Sequence, residues 1–158
     1  MIRTAIAMAV AMLVVVAAAH GEEGPTREEY VAQVEPICQR NTVANERILK
    51  GAKDRIKQDE LNAAGGQFIR ASEAFGKTVR QLVAVPRPPA DDARLMKWFH
   101  FLGIVKTNLR NVGKSLREGN KIKATHDSIR AERSGNAANN VSIVYGFHYC
   151  RLSASRFR

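Results

Sequence analysis

Cys38 and Cys150 stand more than a hundred positions apart in a chain that reads as helix and turn from Thr26 onward. In an oxidising compartment an even pair without CxxC spacing reads as one structural bridge, which would tie the beginning of the fold to its end. As metal ligands they are a poor set. Only His148 lies close in sequence, and tetrahedral zinc wants four ligands.

The N-terminus supplies the compartment. "MIR" is a positive n-region, "TAIAMAVAMLVVVAAA" an apolar core of sixteen residues, and Ala17-Ala18-Ala19 a signal-peptidase pattern. Residues 1–19 are read as a signal peptide cleaved after Ala19, with Gly21 as the alternative site. An uncleaved membrane anchor is the rival reading, but the apolar stretch falls short of the roughly 20 residues of a spanning helix. The expected protein is secreted or extracytoplasmic. Residues 20–158 then form one domain, with a short basic C-terminal tail.

The apolar periodicity predicts four helices. "TREE" (26–29) is a capping box, followed by Tyr30, Val34, Ile37, Asn41, Ile48, Ala52 and Ile56 on one helical face. Pro36 should kink this first helix or mark a fresh start. The chain reverses around "KQDELNAAGG", with Asp59 as a cap or Gly65-Gly66 as the break. Leu61, Phe68, Phe75, Val79 and Leu82 mark the second helix, which "PRPPADD" terminates. Asp91 and Asp92 suit the positive end of the third helix dipole. Leu95, Phe99, Leu102, Val105, Leu109, Val112 and Leu116 give that helix a near-heptad seam, closing at Gly119-Asn120 or running past it. The fourth helix is poor in large apolar residues. Ile122 and Ile129 share a face, as do Val141 and Val144, and Gly146 is placed as a left-handed cap.

Short connections favour an all-α, up-down-up-down four-helix bundle. In that topology the start of helix 1 and the end of helix 4 lie at one end, where Cys38 and Cys150 would meet. Topology and bridge therefore support each other.

Tyr30, Ile37 and Cys38 in helix 1, Pro88-Pro89 in mid-chain and Tyr145-Gly146-x3-Cys150 at the end form a pattern. It resembles a loose group of small secreted actinobacterial helical proteins. The resemblance implies the same compartment, bridge and bundle. It carries over no activity and no site.

Catalytic motifs do not survive inspection. Gly113-Lys114-Ser115 imitates the end of a phosphate loop, but Asn108 stands where that loop needs Gly, and the segment lies within the best helix. Cys38 with His148 would make a thiolate–imidazole pair only if the cysteines were not bridged. Paired acids fall at helix starts, and the histidines are scattered. The chain is read as non-enzymatic, with no catalytic, cofactor-binding or metal-binding residues.

Charge remains. Residues 93–158 hold 13 basic and 3 acidic side chains, whereas residues 20–92 are near neutral. Lys106, Arg110, Lys114, Arg117 and Lys121 fall within an arc of about 80° on one helix, Lys121 only if that helix continues through Gly119. Lys123, Arg130 and Arg133 extend the set. Such a stripe attracts polyanions. Export and the lack of interleaved aromatics argue against nucleic acid, which leaves an anionic envelope polymer or lipid headgroups as partner, or a solvated face whose charge only keeps an exported bundle soluble. The alternative is a structural or interaction protein pairing through helix–helix contacts with itself or another protein, because the weak fourth helix leaves apolar surface uncovered.

Overall fold

The structure is a computed structural model and describes residues 24–153; the expected signal peptide and the basic tail lie outside this range. Four long helices form the bundle: α1 (Arg27–Leu49), α3 (Leu61–Ala84), α4 (Asp92–Arg117) and α5 (Lys121–Val141). A short helix α2 (Ala52–Lys57) turns the first corner, and 3-10 turns at Pro89–Asp91 and Ile143–Tyr145 precede α4 and follow α5. The four long helices run up-down-up-down as expected, and Cys38 is bonded to Cys150 with their Cα atoms 5.0 Å apart.

α1 begins at the expected capping box. The Glu29 amide donates to Thr26 Oγ1 at 3.2 Å, and the Thr26 amide donates to the Glu29 carboxylate at 2.8 Å. Pro36 does not start a new helix, because α1 runs through it as one element. Pro36 is exposed, while Val34 and Cys38 on either side are buried, so packing outweighs the lost backbone bond. Glu35 adds a clasp. Its carboxylate accepts from the backbone amides of His148 at 2.9 Å, Tyr149 at 2.8 Å and Cys150 at 3.3 Å, which fixes the last turn of the chain beside the disulfide.

The reversal after α1 uses neither expected device. Gly51 (φ 74°) and Asp59 (φ 62°), both left-handed, bracket α2, and Gln67 Nε2 donates to the carbonyls of Ile48 and Lys50 at 2.8 and 2.9 Å. Asp59 is therefore not the cap of α3, and Gly65-Gly66 is not a break. Gly65 lies inside α3 and faces Gly113 of α4. A Cβ on Gly65 would sit 2.5 Å from the Gly113 carbonyl oxygen, and one on Gly113 would sit 2.7 Å from that of Gly65. The two backbones touch there, which only glycine permits.

α4 is the centre of the molecule, with α3 on one side and α5 on the other. Its seam is buried as expected, except that Leu109 is only partly covered. Trp98 and Ser115 are buried beside it, because two neighbours require two faces. At the disulfide end Trp98, Phe99, Tyr30, Tyr145 and Phe147 form a continuous aromatic cluster, with Tyr145 stacked on Phe147 at 5.1 Å.

α5 packs with the opposite face from the expected one. Ile122 and Ile129 are 75% and 41% exposed, whereas Ala124, Asp127, Gly135 and Ala138 are buried. Small side chains allow α5 a close approach to α4, and the larger isoleucines do not fit that contact.

α1 packs on α3, α3 on α4, and α4 on α5, but α1 and α5 make almost no direct contact. The ring of four is open on that side. α2 stands at one end of the opening, and the disulfide with residues 149–153 closes the other.

Candidate functional site

The basic stripe assembles only in part. α4 ends at Arg117, and Gly119 (φ 74°) starts the turn into α5. Lys121 therefore leaves the α4 stripe: it is the first residue of α5 and forms an ion pair with Asp59. Arg117 donates from Nε to Asn62 Oδ1 at 3.1 Å and faces an open depression shared with Arg70, Asp59 and Glu60, so charges there nearly balance. Of the proposed extension, Lys123 pairs with Glu118 at 3.7 Å and Arg130 pairs with the buried Asp127.

Three cations remain on the α4 face. Arg110 and Lys114 are exposed, and Lys106 is half-buried with its stem packed where Gly76 leaves room. None of the three has an ion-pair partner among the described residues. The face is a compact basic patch rather than a long stripe.

Other candidate residues have structural employment. Cys38 is in the disulfide and supplies no thiolate. Gly113, Lys114 and Ser115 lie within α4, where Gly113 is the helix crossing and Ser115 Oγ donates to Asp127 Oδ2 at 3.1 Å. Asp91 does not compensate the α4 dipole alone. It is buried and takes a two-pronged bond from Arg27 at 2.8 and 2.9 Å, and Arg27 also lies 5.5 Å from the centre of the Tyr145 ring. The Arg27 guanidinium holds the Asp91 carboxyl below the usual carboxylate range. Burial, with Asp91 adjacent, pushes the Tyr145 phenol up to about 12.

The feature that sequence reading missed is the open side of the ring. Between α1 and α5 lies a cleft of about 920 Å³. Leu49 and Ile56 line it from α1 and α2, Phe68 and Phe75 from α3, Leu102 and Leu109 from α4, and the Ser128–Asn139 side of α5 forms the far wall. A signal existed: Ala124, Ala131, Gly135 and Ala138 recur at helical spacing, marking a helix that contributes little bulk to a shared core.

No protein-family model matches the chain, and neither the curated proteins nor the solved structures include a significant match.

Proposed function

We propose that this chain is a non-enzymatic, exported helical bundle that contacts an anionic component of the cell envelope, a wall polymer or lipid headgroups, through Lys106, Arg110 and Lys114. The observation that carries this reading is the patch itself: three cations on one face of α4 with no acid paired to them among the described residues. Attraction of this kind is long-ranged at low salt and screened at high salt. The disulfide suits an extracytoplasmic setting, and no helix of the described residues is long and apolar enough to cross a membrane. The test is cosedimentation of the oxidised protein with anionic and neutral liposomes and with a wall-type polyanion. Arg110→Glu/Lys114→Glu, at two exposed positions, should abolish anion-dependent binding and leave the thermal melt unchanged. Unchanged binding by that variant would exclude the patch.

Self-association is the second reading, favoured by Ile122 and Ile129, which are exposed one heptad apart on α5. Light scattering at high concentration decides it. A dimer that Ile122→Lys/Ile129→Lys renders monomeric would support pairing, and a strict monomer would remove it.

A further inference from the structure

We propose that the cleft between α1 and α5 is a binding site for a single-chain anionic amphiphile of the long-chain carboxylate type. Three observations carry this, none of them involving the α4 patch.

The first is shape. The cleft follows α1 from Cys38 to Leu49, about 16 Å at the helical rise per residue, and its volume of about 920 Å³ is within the range of small-molecule sites. It is long because the unclosed side of the ring runs along the bundle axis, with α2 at one end and the disulfide at the other.

The second is the wall. Phe75, Leu102 and Trp98 are buried beneath it, and Leu49, Ile56, Phe68 and Leu109 are left partly uncovered along it. An alkyl chain would cover the carbon surfaces of these side chains; the buried Trp98 Nε1–H has no hydrogen-bond partner among the described residues and gains none from it. The wall has two polar strips: Ser128, Asn136 and Asn139 on the α5 side, and on the other Asn41, which accepts from Asn45 Nδ2 at 2.8 Å and Thr78 Oγ1 at 3.1 Å. Asn45 is only 4% exposed, and its Oδ1 has no hydrogen-bond partner among the described residues. An unpaired acceptor repels a carboxylate, so the headgroup does not belong in mid-cleft.

The third is the rim. Lys53 and Lys57 stand one turn apart on α2 at one end, Arg151 is at the other, and Glu132 is the one acid among the lining residues. Lys53 has no ion-pair partner among the described residues, and Lys57 has only a distant exposed contact with Asp54 at 3.8 Å. The α2 end is thus the cationic mouth, and it places the carboxylate at Lys53 and Lys57 with the chain running toward Cys38.

Titration calorimetry with octanoate, decanoate and dodecanoate, each kept below its micelle threshold, and with the methyl ester of dodecanoate tests the proposal on the oxidised protein. One-to-one binding is expected, tightening by roughly fourfold per added methylene until the chain fills the cleft. The ester should bind more weakly, and Lys53→Glu/Lys57→Glu should weaken the acid by roughly tenfold. Ala131→Trp, projecting from the α5 wall, should abolish binding; Ser128→Trp at the exposed rim serves if that variant does not fold. Arg110→Glu/Lys114→Glu should bind dodecanoate normally, which separates this site from the α4 patch. No saturable binding, equal binding of acid and ester, or binding lost with the α4 variant but retained by both tryptophan variants would each overturn the proposal. So would a dimer that the tryptophan variants dissociate, since the cleft would then be occupied by a second copy.

Discussion

The Ser115 hydroxyl donates to the Asp127 carboxylate at 3.1 Å, and Asp127 is fully buried where α5 crosses α4. The carboxylate's other oxygen is paired with Arg130, whose side chain reaches solvent. An ionised group in an interface of small residues is tolerated because both of its oxygens are engaged. It also fixes the rotation of α5, since only this orientation gives the acid its two partners. Ser115→Ala should cost roughly 1–3 kcal/mol in urea unfolding by stripping one bond from a buried charge. Asp127→Asn should cost less than Asp127→Ala. The Ser115→Ala/Asp127→Ala double variant should be clearly less destabilised than the sum of the singles.

Two glycines of α4 should respond in opposite directions to alanine. At Gly103 an added Cβ meets nothing within 4 Å, so Gly103→Ala should stabilise by about 0.5–1 kcal/mol through helix propensity. At Gly113 the same carbon would lie 2.7 Å from the Gly65 carbonyl oxygen and 3.0 Å from the Ile69 amide nitrogen, both backbone atoms of α3 rather than the end of a flexible side chain. Gly113→Ala should therefore destabilise by about 1–3 kcal/mol despite the same propensity gain. Thermal melts of the two variants read the difference directly.

The disulfide closes a loop of 112 residues across the end of the open ring, where α1 and α5 hardly touch. Cys38→Ala/Cys150→Ala should lower stability by about 4.8 kcal/mol in the chain-entropy account. The Glu35 clasp should remain and hold the last turn weakly. Hydrogen exchange at the amides of residues 148–150 should speed up in that variant and speed up further on adding Glu35→Gln.

Stability should fall at both extremes of pH from one cluster. Asp91 is held below its ordinary range by Arg27, so its contribution is present above the unfolded carboxyl pKa and is lost as pH falls through the lower folded value. Tyr145 has the opposite sign. Its phenol is raised to about 12, so its neutral-state contribution is complete below the unfolded value near 10 and is lost as pH rises toward 12. Arg27→Ala should flatten the acid limb of a plot of stability against pH. Tyr145→Phe should flatten the alkaline limb.

The fold was legible where large aliphatic side chains repeat. The seam from Leu95 to Leu116, the capping box at Thr26 and the pairing of Cys38 with Cys150 are all visible as patterns of residue type. α5 was misread because its buried face is built from alanine, glycine and an aspartate, while its isoleucines face solvent. Nothing local distinguishes Gly65, which packs against a backbone, from a helix breaker; the difference lies in Gly113, 48 positions away. The basic stripe lost Lys121 to a turn at Gly119 that the sequence left open, and lost Arg117 to a side-chain partner on another helix. The cleft left only an indirect trace, the small residues Ala124, Ala131, Gly135 and Ala138 of α5, because it results from a missing contact between α1 and α5 rather than from a motif.

The most direct test of the functional claim is the dissociation constant for anionic liposomes as salt is raised from about 50 to about 300 mM, where screening shortens from beyond the patch to within it. The account predicts binding that weakens steadily with salt in the native protein, with no anion-dependent component in Arg110→Glu/Lys114→Glu. Binding that is insensitive to salt, or equally strong in that variant, would contradict it.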